Sequence, residues 1–139
     1  LTNFRDPRAK RDGAPSRGAL VSAFLDGEHA PLDYAARLIG EADRYNGFNL
    51  LAGAGDELAY LSSRGRRAMP VARGVHGLSN GALDEPWPKV RKGRERLSEA
   101  LLRDVRPEDL FTLLKDPSLA PDEELPDTGV SRDWERLLS

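Results

Sequence analysis

Three polar segments combine amide side chains with glycines and aromatics: Thr2-Asn3-Phe4-Arg5, Tyr45-Asn46-Gly47-Phe48-Asn49, and the run from His76-Gly77-Leu78-Ser79-Asn80 to Trp87. An asparagine side chain carries a neutral N–H donor and a carbonyl acceptor. At a strand end, such a donor can hold the oxyanion that develops on a carbonyl under attack, and it does so without titrating. The structural alternative is as physical: Asn caps turns, tolerates left-handed backbone and bonds its own chain. For any one Asn taken alone, that alternative is the better reading. A Ser63, His76 and Asp84 triad can also be sketched, but no nucleophile-elbow pattern supports it. A lone His between Gly74 and Gly77 is more often structural than catalytic.

Composition narrows the chemistry further. The 139 residues contain no Cys and two His, His29 and His76. Disulfides, thiolate zinc sites and cysteine nucleophiles are therefore absent from these residues, and no metal or cofactor is expected. The length suits one domain. Net charge is −2, so a globally basic nucleic-acid binder is not expected. No apolar run approaches the ~20 residues that span a bilayer. No signal-peptide pattern opens the sequence, which leads to a cytoplasmic expectation. Charge is nonetheless uneven: residues 61–106 hold 11 Lys/Arg and 5 Asp/Glu, whereas residues 107–139 hold 3 and 9. Five of those basic residues lie between Lys89 and Arg96. Without interleaved aromatics, the favoured reading is a solvated helix face paired with the acidic tail, not a phosphate or nucleic-acid site.

The elements that must position these groups follow from pattern. Leu1–Arg5 reads as a strand already under way, with its most natural neighbour upstream. Residues 6–15 read as a charged surface loop. A helix follows over 16–26, with Ser16 as its cap, and a second over 32–45. Phe48–Ala52 and Leu58–Ser62 read as a hairpin through Gly53-Ala54-Gly55-Asp56, which lacks the spacing of a nucleotide loop. A third strand is expected over Val71–Leu78. Pro88 and Pro107 open two more helices, the proline- and acid-rich stretch after residue 115 reads as a loop, and Asp133–Leu138 as a last helical turn. The fold class is α+β.

Taken together, the segments resemble the NRDE family, also called the transport and Golgi organisation protein 2 family. The resemblance is carried by Leu1-Thr2-Asn3-Phe4-Arg5, Ser16-Arg17-Gly18 with Leu20-Val21, Tyr45-Asn46-Gly47-Phe48-Asn49-Leu50, Gly77-Leu78-Ser79-Asn80, Leu83-Asp84 with Pro86-Trp87-Pro88-Lys89-Val90, and Leu125-Pro126-Asp127-Thr128-Gly129. The namesake Asn-Arg-Asp-Glu motif, the Cys after the initiator Met and a later Tyr-Gly-Thr-Arg type segment are not in the sequence. The chain thus resembles the central part of a family member, read as a single domain within a larger protein.

That family is in turn similar to N-terminal-nucleophile cysteine amidases. The resemblance implies part of an αββα sandwich, with antiparallel sheets flanked by helices. It also implies an N-terminal Cys, outside this sequence, acting as nucleophile with its own α-amine as base; an α-amine titrates near ~8. On the same ground Asn3 and Asn80 are the expected catalytic amides, aimed at the carbonyl of a small amide or thioester. Arg5, Tyr45, Asn46, Asn49, His76, Asp84 and Trp87 are the expected substrate-binding residues. Eukaryotic members are linked to Golgi organisation, lipid metabolism and haem handling. The alternative expectation is therefore a non-enzymatic carrier or chaperone of a hydrophobic ligand such as haem or lipid. In either case the partner is a small molecule, and the oligomeric state is left open.

Overall fold

The computed structural model describes residues 1–139 as two compact units. The first comprises Leu1–Arg73 with Asn80–Ala82, and the second Gly74–Ser79 with Leu83–Ser139. The chain is mixed α and β, and no helix is long and apolar enough to cross a membrane.

The first unit is built on a four-stranded antiparallel sheet in the order β1 (Thr2–Asn3), β2 (Phe48–Ala54), β3 (Glu57–Ser62), β4 (Arg67–Pro70). The hairpin expected from the two apolar runs is present. It turns at Gly55-Asp56, with Gly55 at φ +56°, where a side chain would be strained. The period of two sorts the strands: Phe48, Leu50, Ala52, Ala59 and Leu61 lie on one face and are buried. Onto that face pack α1 (Gly18–Leu25), through Leu20, and α2 (Pro31–Ile39), through Tyr34, Ala35 and Leu38. Pro31 opens α2 where an N–H would be orphaned anyway, and Asp33 and Arg37 match its dipole ends. The Tyr34 hydroxyl donates to the Leu20 carbonyl at 2.6 Å, and its ring meets Phe24 at 5.2 Å, so the two helices are joined at one residue.

Four expectations need correction. The second helix does not run to residue 45: it ends at Ile39, before Gly40, and a separate 3-10 turn covers Ala42–Arg44. Ser16 does not cap the first helix, which starts at Gly18 with Arg17 at its N-cap and no side-chain cap bond. The last strand is not Val71–Leu78 but Arg67–Pro70. A tight corner after β3, with Arg66 in left-handed backbone at φ +45°, returns the chain at once, so Arg67 pairs with Ser62. The chain leaves the sheet after Pro70, which lies on an edge strand where its missing N–H costs little. The neighbour of the first strand is β2: Thr2 pairs with Asn49 and Asn3 with Phe48.

The second unit is helical: α3 (Pro88–Ala100), α4 (Pro107–Leu114) and α5 (Arg132–Leu137). Pro88 and Pro107 each occupy a first-turn position, as expected. Ser131 caps α5, its Oγ accepting from the Trp134 N–H. The acid-rich stretch between α4 and α5 is loop apart from a 3-10 turn at Asp122–Glu124.

Candidate functional site

The two asparagines expected to be catalytic meet at the open edge of β1. Asn80 Nδ2 donates to the Asn3 carbonyl at 2.9 Å, and the Arg5 N–H donates to the Asn80 carbonyl at 2.6 Å. Asn80 therefore binds β1 at two points, as a short extra strand would, on the side away from β2. The Asn3 side chain itself is exposed and makes no hydrogen bond within the chain. On the other side of β1, the Phe4 N–H donates to the Gly47 carbonyl at 3.0 Å, and Arg17 Nη1 donates to the same oxygen at 2.8 Å.

Asn49 and Asn46 are committed to the fold. Asn49 is completely buried: its Nδ2 donates to the Gly81 carbonyl at 2.7 Å and to Thr2 Oγ1 at 3.4 Å, and its Oδ1 accepts from the Tyr60 hydroxyl at 2.8 Å. It lies on the sheet face opposite α2 and ties β1, β3 and the Asn80–Ala82 segment together. Asn46 grips the loop before α1, its Oδ1 accepting from the Arg11 N–H at 2.7 Å and its Nδ2 donating to the Arg11 carbonyl at 2.9 Å. Tyr45 packs edge-on against Phe48 at 6.0 Å. The Ser63 hydroxyl accepts from the Phe48 N–H at 2.8 Å and donates to the Phe48 carbonyl at 2.9 Å, so it serves the backbone and not a triad.

In the second unit, His76 Nδ1 lies 2.7 Å from Asp84 Oδ2. Asp84 has left-handed backbone at φ +60°, its Oδ1 accepts from the Gly77 N–H at 2.9 Å, and its own N–H donates to the Gly77 carbonyl at 2.8 Å. Arg94 Nε stands 3.5 Å from Asp84 Oδ1 and donates to the Val75 carbonyl at 3.1 Å. Partial burial alone would raise the Asp84 carboxyl. The hydrogen bonds from His76 and Gly77 and the nearby Arg94 outweigh it and hold the carboxyl below 3.8. Trp87 is buried at the residue before α3, and its N–H donates to the Glu85 carbonyl at 2.7 Å.

The basic face of α3 pairs with acids of the C-terminal segment. Arg91 meets Glu124, while Lys92 and Arg96 share Asp116 at 2.6 and 2.7 Å. Lys92 and the Ser118 N–H hold the Asp116 carboxyl well below the usual carboxylate range, with Arg96 adding to the effect. An open groove of about 650 Å³ runs beside this face, and its apolar wall includes Leu97, Leu113, Leu114 and Leu119.

A family model described as Transport and Golgi organisation 2 matches residues 1–139. The chain belongs to that family. It is 38% identical over 138 residues to the Transport and Golgi organization protein 2 homolog of Bos taurus. The Mus musculus homolog is 36% identical and the Homo sapiens homolog 34%, each over 138 residues. Each match covers 94% of this chain and 50% of the relative, so the chain spans about half the length of these proteins.

For this member of the Transport and Golgi organisation 2 family, the structure brings Asn3, Arg5 and Asn80 together at β1, and His76 with Asp84 in the second unit. Sequence reasoning missed Tyr60 and Thr2 as partners of Asn49, and Arg11 as the partner of Asn46. The period of two puts Tyr60 and Asn49 on one sheet face, which was available as a signal. The Arg11 contact is long-range and left none.

Proposed function

We propose that this chain supplies the carbonyl-recognition part of an acyl-transfer site, acting on a small amide or thioester, whose nucleophile lies outside this sequence. The observation that carries the reading is the Asn3 amide: exposed, unpartnered, and on a strand whose main chain is held on both edges. The main-chain bonds fix where Asn3 stands, and its unpartnered Nδ2 is available to donate to the oxygen on which charge develops. In the reaction, the nucleophile adds to the carbonyl carbon and the C=O electron pair moves onto oxygen. Asn3 Nδ2 donates to that oxyanion; collapse of the intermediate leaves the acyl group on the nucleophile and expels the amine or thiol, which takes up the proton that the nucleophile gave to its base. Asn80 acts through Asn3 as a positioning residue, its Nδ2 being engaged with the Asn3 carbonyl. The wider fold in this proposal is an αββα sandwich, with the second sheet stacked on the face bearing Leu51 and Leu58, which are 37% and 42% exposed.

The test is acyl-enzyme trapping. The intact protein is incubated with a panel of acyl thioesters and acyl amides, quenched and weighed by mass spectrometry. A covalent acyl adduct that turns over supports the reading; ligand bound only non-covalently contradicts it. The latter result favours a second reading, a carrier of a hydrophobic ligand such as haem or lipid. That reading is supported by the leucine-walled groove beside the cationic face of α3.

A further inference from the structure

A second concave feature of the sheet unit is not used by the Asn3 site. It is an open cleft of about 420 Å³ between residues 8–11, at and after the turn Pro7–Ala9, and an opposing wall of Ala42, Asp43, Tyr45, Gly47 and Arg64. Four cations line it, Arg8, Lys10, Arg11 and Arg64, against one carboxylate, Asp43. That carboxylate is already paired, with Arg66 at 2.5 Å. Arg64 is in turn paired with Asp6 at 3.3 Å, so the positive charge left in excess is that of Lys10 and Arg11.

The walls are fixed in advance. Asn46 holds the Arg11 main chain by both its N–H and its carbonyl. The Arg11 guanidinium donates to the Tyr45 carbonyl at 2.9 Å and to the Asp43 carbonyl. Gly47 keeps the floor clear: a Cβ there would stand 3.0 Å from Arg64 Nε and 3.2 Å from Phe4 Cβ. Arg64 is steadied by Asp6 at 3.3 Å, with about a third of its side chain exposed. The Lys10 ammonium has no partner within the chain. Guanidinium forks and a free ammonium around a rigid polar cleft suit an oxyanion, to which charge-assisted hydrogen bonds are short and strong.

We infer that this pocket binds the anionic group, phosphate or carboxylate, of a small molecule. The inference does not depend on the acyl-transfer reading.

Calorimetric titration of the intact protein tests it, with inorganic pyrophosphate in one arm and succinate in the other, at low and at high ionic strength. Saturable binding of either anion is expected, weakening in salt. Preference for one arm identifies the group read. Lys10→Gln and Arg64→Gln should each weaken binding about tenfold, the scale of one lost charged hydrogen bond. Arg103→Gln, outside the pocket, and Asn3→Ala should leave it unchanged. Lys10 is exposed and unpartnered, so its replacement does not threaten the fold, and circular dichroism verifies that for both variants. No saturable binding in either arm, or wild-type affinity in both pocket variants, overturns the inference.

Discussion

Asn80 holds Asn3 by its main chain: the Asn80 amide donates to the Asn3 carbonyl at 2.9 Å and leaves the Asn3 side chain alone. The reciprocal bond, Arg5 N–H to Asn80 carbonyl, is made by backbone and survives any substitution at Asn80. Asn80→Ala should therefore lose one hydrogen bond, about 1 kcal/mol. Asn80→Asp should cost more, because an anion then faces a carbonyl oxygen. Thermal denaturation is expected to rank wild type above Asn80→Ala above Asn80→Asp; equal midpoints would show that the contact contributes nothing.

Asn49 is the polar centre of the sheet face opposite α2. Asn49→Leu keeps the volume roughly constant but removes the acceptor of the Tyr60 hydroxyl's 2.8 Å bond and the amide that donates to the buried Gly81 carbonyl. Urea denaturation should show a loss of about 2–4 kcal/mol. Tyr60→Phe should cost about 1 kcal/mol, and the double variant less than the sum of the two, since one bond is shared.

Two glycines in the helical unit should respond to alanine with opposite signs. A Cβ on Gly77 would stand 2.7 Å from Val90 Cγ1 and 3.2 Å from Arg94 Cγ, so Gly77→Ala should destabilise by about 1–3 kcal/mol. A Cβ on Gly93, within α3, meets nothing within 4 Å. Gly93→Ala should stabilise by about 0.5–1 kcal/mol through the lower backbone entropy of alanine in the unfolded chain. Chemical denaturation of both variants measures the pair of signs.

The Asp84 carboxyl predicts an acid-side signature. Its pKa in the fold lies below the ordinary 3.8, despite partial burial, because His76, Gly77 and Arg94 favour the charged form. A group depressed on folding contributes stability that is complete above its unfolded pKa and is lost as pH falls through its folded pKa. Asp84→Asn retains a residue that tolerates the left-handed backbone at φ +60° but removes the charge. The variant should be less stable than wild type near neutrality, with the gap narrowing below about pH 4. A gap independent of pH would place the loss in packing rather than charge.

The hairpin was legible because Phe48–Ala54 and Glu57–Ser62 carry their own alternation and their own turn residues. The same holds for the helices opened by Pro31, Pro88 and Pro107. The strand Arg67–Pro70 was not, since Arg-Ala-Met-Pro has no alternation of its own and is placed by the corner at Arg66 and by pairing to β3. At the site, a list of amide residues was readable, but not their division of labour. Asn46, Asn49 and Asn80 are chemically alike, and only long-range partners separate the amides that tie loops and strands from the one on Asn3 that ties nothing. The pairing of α3 with the acidic segment was readable in outline from the opposite charges of the two stretches. Which partners meet, Arg91 with Glu124 and Arg96 with Asp116, depends on how the 116–124 loop lies along the helix.

The claim at the centre of this account is that the free Asn3 amide stabilises charge on a substrate carbonyl. The most direct measurement is the steady-state kinetics of Asn3→Ala in the intact protein, on whichever acyl thioester or amide shows turnover. The account predicts kcat lower by about 10²–10³-fold with KM little changed and the fold intact, the size of effect seen when one oxyanion donor is lost. Wild-type kcat in Asn3→Ala would contradict it.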